Sequence, residues 1–326
     1  MSTGAPPQRG DRPAQQFSGR LLEPGQGVAV VAPAGGVEAE AYAAGLGILA
    51  ARYRIVLAYD PLGAAGTHRE PSSALPYLSA NDDTRTQAIH AALRHPEVTA
   101  VFCARGGYGC MRLLERLDDT ALRSRGLPIV GFSDVTALHA WAARLGVRSI
   151  HGPVVTQLPR LPRPQLDALF ALLEGRVADL TLRGLRGLRP GRARGPLFAG
   201  NLAVLAHLCG TPYFPPLAGR ILLLEEVDEA PYRVDRLLTQ LLLAGELQRA
   251  AGIVVGQLVG CDATRGSTWS RSEPLRGAAV AAERLAALEV PVAFGAAVGH
   301  GNENVALPQG AWSELDTVGG TLKITV

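Results

Sequence analysis

Between residues 27 and 145 the chain passes four times from a short, largely apolar run into a longer stretch of helical spacing, and no other feature limits its possible folds as tightly. The apolar runs cover residues 27–32, 54–59, 99–103 and 128–132; the helical stretches cover 38–51, 81–95, 110–117 and 134–145. Runs without polar alternation belong to strands covered on both faces, and helical connections of this length join neighbouring parallel strands. The pattern predicts an α/β fold in which a parallel sheet carries helices on both faces and ligands bind beyond the carboxyl ends of the strands. Two segments fall at such ends: Arg105-Gly106-Gly107-Tyr108-Gly109, and Ser133 in Gly131-Phe132-Ser133-Asp134.

The texture changes over residues 159–195, where Pro159, Pro162, Pro164 and Pro190 accompany Arg183, Arg186, Arg189, Arg192 and Arg194. This reads as a linker with a solvated basic face; no aromatic residues interleave with the arginines as a nucleic-acid surface would require. Beyond it come a helical run to Leu208, an apolar strand 221–224 closed by Glu225-Glu226, a helix from Tyr232 after Pro231, a strand at 252–255, an Ala-rich helix 273–288, a strand 291–294 and short β segments to Val326. A length of 326 residues predicts two domains. The expected division is a disordered leader over 1–20, an N-terminal α/β domain over 21–160, a linker over 161–196 and a C-terminal domain over 197–326.

A net charge of +3 gives no argument for nucleic-acid or membrane partners. No stretch has the roughly 18 uninterrupted apolar residues of a membrane helix. Met1 to Ser18 lacks the apolar centre of a signal peptide. Cys103, Cys110, Cys209 and Cys261 have no metal-ligand spacing, which predicts free thiols in a reducing compartment. The expectation is a soluble cytoplasmic protein without metal or cofactor.

The phosphate-loop, dinucleotide-loop and zinc-helix patterns are absent from the sequence. The glycines of 105–109 suit either a tight turn or a set of backbone amides turned toward an anion, such as an oxyanion. Ser133 sits where a strand passes into a helix: it reads as an N-cap, or as a nucleophile projected from the sheet edge. A serine nucleophile needs a base, commonly an imidazole oriented by a carboxylate. Of the seven histidines, His90, His95, His139 and His207 lie in or at the ends of helical runs, His68 in a loop and His151 in a His-Gly-Pro turn, whereas His300 is flanked by glycines. Glu225 and Glu226 end an apolar strand, where a carboxylate has no packing purpose. Ser133, Glu225 and His300 follow the order serine, acid, histidine of α/β-hydrolases, although Val135 replaces the second glycine of their nucleophile motif.

These segments, with Val31-Ala32-Pro33-Ala34-Gly35, His151-Gly152-Pro153, Gly200-Asn201-Leu202, Pro231-Tyr232-Arg233 and Gly299-His300, resemble in order those of the LD-carboxypeptidases, serine peptidases of bacterial cell-wall recycling. The resemblance implies an N-terminal domain of the class I glutamine-amidotransferase type, a smaller β-rich C-terminal domain and a site assembled between them. It implies Ser133 as nucleophile, His300 as base and then acid, Glu225 as the residue orienting His300, and the N–H groups of Gly106 and Asp134 as oxyanion donors. Glu226 stands where family members carry Asp. Recognition of a free carboxylate favours an arginine, and the expected substrate-binding residues are Arg105, Tyr108 and Arg233.

The implied activity is release of terminal D-alanine from a murein tetrapeptide, by a homodimer and without cofactor. Two other readings stand beside it. One is a microcin-immunity-type peptidase acting on acyl-sulfamoyl-adenylates, in which Trp269 would be the residue to meet the nucleobase, although Trp269 reads better as a packing residue of a surface loop. The other is a non-catalytic binding protein of the same fold.

Overall fold

A computed structural model describes residues 22–61, 75–263 and 275–326. The predicted leader and Trp269 lie outside these residues.

The first half follows the alternation in its sequence. Strands β1 (Gly27–Val31), β2 (Arg54–Ala58), β3 (Val98–Cys103), β4 (Ile129–Gly131) and β5 (Ile150–His151) interleave with helices α1 (Ala39–Ala50), α2 (Asp82–Arg94), α3 (Asp119–Arg125) and α4 (Thr136–Arg144). The five strands pair in parallel in the order β5-β4-β3-β1-β2. β1 and β4 are buried at every position, as their lack of polar alternation requires. Asn81 caps α2 by accepting the Thr84 N–H at 2.8 Å.

Two local expectations need correction. Residues Cys110–Arg116 form a 3₁₀ helix instead of an α-helix, opening on the i→i+3 bond from Arg112 N–H to Gly109 O, while the Cys110 N–H, which no helix of either kind would pair, goes to the Asp134 carboxylate. The helix expected from residue 134 begins as a 3₁₀ turn, Ser133–Val135, and becomes α-helical at Thr136.

The segment expected as a linker is folded. Helix α5 (Arg163–Leu173) starts after Pro162 and carries Pro164 in its first turn, where the missing N–H has no partner to lose. Strands β6 (Asp179–Arg183), β7 (Arg186–Arg189) and β8 (Arg192–Asn201) follow. Arginines spaced by two belong to one face of a strand, and they face acidic partners once the sheet closes. Arg192 and Arg194 pair with Asp316 and Glu314 on a neighbouring strand.

The second half contributes α6 (Leu202–Leu208), β9 (Ile221–Val227), α7 (Pro231–Leu243), α8 (Glu246–Arg249), β10 (Gly252–Val259), α9 (Gly277–Ala286) and β11 (Val292–Phe294). The short β12 (Leu307–Pro308) returns to pair antiparallel with β5, closing the first sheet at six strands. β13 (Trp312–Asp316) and β14 (Thr321–Thr325) complete an eight-stranded mixed sheet, β6-β14-β13-β8-β9-β10-β11-β7. Its centre, β8-β9-β10-β11, is parallel. Leu138 and Trp141 of α4, Leu202 and Leu205 of α6, and Leu222 of β9 lie in one continuous apolar core. The two sheets are therefore packed together, and this fixes their facing strand ends.

Candidate active site

The buried strand β4 ends at Gly131, and two residues later the chain turns at Ser133 with φ of +63°. A non-glycine residue in that region costs about 1–3 kcal/mol and persists only where its surroundings dictate it. Here the turn lifts the serine off the sheet edge. Its hydroxyl does not cap the helix: Oγ donates to His300 Nε2 at 3.0 Å.

His300 comes from a loop after β11, between Gly299 and Gly301. Gly299 has φ of +131°, and a Cβ there would stand 3.0 Å from Glu225 Oε2, so both backbone and space demand glycine. The loop is fixed from several sides. Gly301 N–H donates to Gln257 Oε1 on β10 at 2.7 Å, Gly299 N–H donates to Asn304 Oδ1 at 3.2 Å, and Asn304 N–H donates to Gln165 Oε1 on α5 at 2.8 Å. The Phe132 ring, 4.6 Å from that of His300 between centroids, covers the imidazole.

Neighbouring residues of a strand point to opposite faces, and this separates the two glutamates of β9. Glu225, fully buried, meets His300 Nδ1 through Oε2 at 2.6 Å. Glu226 faces the other way, accepting from Asn201 Nδ2 at 2.8 Å and from Ala203 N–H at 2.7 Å at the start of α6. Since an ionised carboxylate only accepts, the imidazole carries its proton on Nδ1 and offers Nε2 to the serine. Burial alone would lower the His300 pKa, but the hydrogen bond and charge of Glu225, with more distant help from Glu226 and Asp228, raise it above its ordinary value. This is the arrangement that activates a serine hydroxyl.

The glycine loop lies directly behind the serine. A Cβ on Gly106 would stand 2.9 Å from Ser133 Cβ and 3.1 Å from Oγ. Gly106 O accepts from Gly35 N–H at 3.0 Å, and Asp134 Oδ2 accepts the Cys110 N–H at 2.7 Å, tying the loop's exit to the serine turn. Burial pushes the Asp134 carboxyl up despite this bond.

An open cleft of about 380 Å³ lies over the serine, lined by Arg105, Gly106, Ser133, Arg160, Asp228 and His300 among others. Of the expected substrate-binding residues, only Arg105 lines it, with Nη1 donating to Gly36 O at 2.7 Å. Tyr108 is half exposed and packs edge-on against Tyr77. Arg233 sits in the first turn of α7 beside Glu229 and donates to the Tyr232 hydroxyl. Neither is among the cleft-lining residues, because the loop and helix that carry them turn these side chains toward local partners.

Arg160 and Asp228 escaped the sequence reading. Arg160 ends a 3₁₀ turn that resembles any solvated segment. Asp228 carried one legible sign, its place two residues after the glutamate pair, and it adopts φ of +56°. Of the other described histidines, His139 is buried between Ser149 Oγ and Gly131 O, its pKa lowered to about 4 by burial. His151 is buried edge-on to Phe132, and burial likewise depresses its pKa. The four cysteines are free, the described residues hold no His/Cys/Asp/Glu group suited to a metal, and no described helix is long and apolar enough to cross a membrane.

Known proteins resemble this chain over most of its length. Residues 28–152 match the model of the LD-carboxypeptidase N-terminal domain and residues 194–315 that of the LD-carboxypeptidase C-terminal domain. The chain is 36% identical to the murein tetrapeptide carboxypeptidase of Pseudomonas aeruginosa over 258 residues, 74% of this chain and 80% of that one. The crystal structure of muramoyltetrapeptide carboxypeptidase from Oxalobacter formigenes superposes with a TM-score of 0.78 at 28% identity, covering 92% of this chain and 99% of the other. The structure of MccF with glutamyl sulfamoyl guanosine shares the fold, with a TM-score of 0.80 at 20% identity over 95% and 98% of the two chains.

Proposed function

The chain belongs to the LD-carboxypeptidase family, and from that premise we propose that it is a serine carboxypeptidase that releases terminal D-alanine from murein tetrapeptides, with Ser133, His300 and Glu225 as its catalytic residues. The observation that carries the reading is the unbroken chain of contacts from Ser133 Oγ through both ring nitrogens of His300 to the buried Glu225.

Ser133 Oγ attacks the carbonyl of the L,D peptide bond as its proton passes to His300 Nε2, and Glu225 stabilises the imidazolium that forms. The N–H groups of Gly106 and Asp134 hold the developing oxyanion, each worth about 3–4 kcal/mol in comparable sites. His300 returns the proton to the amine of the departing D-alanine. Water, deprotonated by the same imidazole, then attacks the acyl-enzyme and frees the tripeptide and Ser133. Arg105 and Arg160, on the cleft wall, are the cations for the substrate's terminal carboxylate. The relationship to a murein tetrapeptide carboxypeptidase at 36% identity supports this substrate over the sulfamoyl-adenylates, since the likeness to MccF at 20% speaks for the fold alone. A homodimeric, cytoplasmic enzyme with a first domain over 21–160 and a second that extends the expected 197–326 to take in β6, β7 and β8 belongs to the same proposal and rests on the family resemblance.

The test is mass spectrometry of murein tetrapeptide incubated with wild type and with Ser133→Ala. Wild type is expected to yield tripeptide and D-alanine, and the variant neither. An intact tetrapeptide after incubation with wild type would overturn the substrate assignment, and a fluorophosphonate adduct on any other serine would overturn the role of Ser133.

A further inference from the structure

We propose that Arg85 is a positioning residue of the reaction: its buried guanidinium sets the glycine loop that presents the Gly106 amide. The inference rests on the function proposed above and adds a residue to it.

Arg85, in the first turn of α2, is only 2% exposed. A buried guanidinium is retained only where its donors are matched. Nε donates to Ala80 O at 3.1 Å, Nη1 donates to Gly109 O at 3.0 Å and also to Pro33 O, and Nη2 pairs with Asp82. Asp82 in turn takes Arg112 at 2.8 Å. The two carbonyls on Nη1 belong to the two turns that form the rear of the site. Pro33 opens the turn whose Gly35 N–H holds Gly106 O, and Gly109 ends the loop that begins at Arg105.

One nitrogen thus staples the two turns on either side of Gly106. The loop has little stiffness of its own, because Gly107 and Gly109 adopt φ of +106° and +133°, which only glycine takes up freely. A Cβ at Gly109 would stand 2.6 Å from Arg85 Nη1, so the guanidinium occupies the volume that a side chain there would need. Cys110 N–H on Asp134 anchors the loop's exit. Without Arg85, the Gly35 bond, the Arg105 bond to Gly36 O, the Tyr108–Tyr77 contact and the exit bond remain, but none of them ties the Gly109 carbonyl to the Pro33 turn.

The experiment compares wild type, Arg85→Lys and Arg85→Ala as full chains, with folded active sites counted by intact mass. It measures the rate at which a fluorophosphonate phosphonylates Ser133, and kcat and KM on murein tetrapeptide. Arg85→Lys is expected to lower the phosphonylation rate and kcat in parallel, by about 10- to 100-fold, less than loss of a whole oxyanion donor, with KM nearly unchanged. Arg85→Ala falls further and is partly restored by added guanidinium but not by tetramethylammonium at equal ionic strength. Should the alanine variant not fold, the lysine variant decides. Wild-type phosphonylation and kcat per folded molecule, even with a lowered melting temperature, would reduce Arg85 to a structural residue and overturn the inference; so would a raised KM at unchanged kcat. If wild type reacts with the probe but leaves tetrapeptide intact, the substrate assignment fails while the phosphonylation ratio still decides the role of Arg85.

Discussion

Replacing Glu225 by Gln keeps the side chain's volume and changes one property, the acceptor that faces His300 Nδ1. The carboxylate is fully buried, and its Oε2 stands 2.6 Å from the imidazole. A charge-assisted bond of this kind contributes about 1.5–3 kcal/mol, or roughly 10- to 150-fold in rate. The amide costs more than that bond. Its N–H pointed at Nδ1 favours the tautomer protonated on Nε2, and that nitrogen can no longer accept the Ser133 proton. The corresponding exchange in the serine-protease triad costs about 10⁴-fold, so a fall of about 10³- to 10⁴-fold in kcat is expected here.

The pH profile adds a second, independent signature. His300 must be neutral to act as base, so kcat/KM declines as pH falls through its pKa. Burial pulls that pKa down and Glu225 lifts it above the ordinary value. With the charge removed, burial remains, and the acid limb moves to lower pH. D-alanine release, followed by mass spectrometry across pH with titrated active sites, reads both effects. A plateau within about tenfold of wild type, or an acid limb that stays in place, would refute the coupling of these residues.

Three further outcomes are expected. Gly106→Ala drives a methyl to 2.9 Å from Ser133 Cβ and displaces the hydroxyl from His300; kcat falls by about 100-fold or more, and a crystal structure with Ser133 unmoved would contradict this. Arg160→Ala removes a cleft-lining cation, whereas Arg105 already donates to Gly36 O, so KM rises by about 10- to 150-fold with a smaller change in kcat; an unchanged KM would leave carboxylate recognition to Arg105. Burial pushes the Glu226 carboxyl up to about 7, against the hydrogen bonds from Val227, Asn201 and Ala203. A carboxyl that binds its proton more tightly when folded contributes stability at low pH that is lost as pH rises from about 4.5 through 7. Melting temperatures on either side of that window should show the decline, and Glu226→Gln should flatten it; an unaltered slope would assign the effect elsewhere.

Much of the architecture is local information and is written in the chain. Apolar runs set the parallel strands, Asn81 starts α2, and the strand-to-helix junction puts Ser133 at a sheet edge. The glycines at 106, 107 and 109 announce a backbone that approaches something closely, and those beside His300 free a turn. The same local signals misread residues 159–195. Prolines and arginines look like a linker until Glu314 and Asp316 arrive from a strand distant in sequence to pair with Arg194 and Arg192.

What the tertiary structure decided is which of these features meet. Ser133 and His300 are 167 positions apart, and His300 and Glu225 are 75. Their convergence depends on two sheets sharing one core, which no window of sequence contains. Pleating requires that Glu225 and Glu226 face opposite ways, but only the packing of β9 between the His300 loop and α6 shows which one meets the imidazole. Arg160 in the cleft, and Tyr108 and Arg233 outside its lining, are settled in the same way: residue type states what a side chain can bind, and the path of the backbone determines what it reaches.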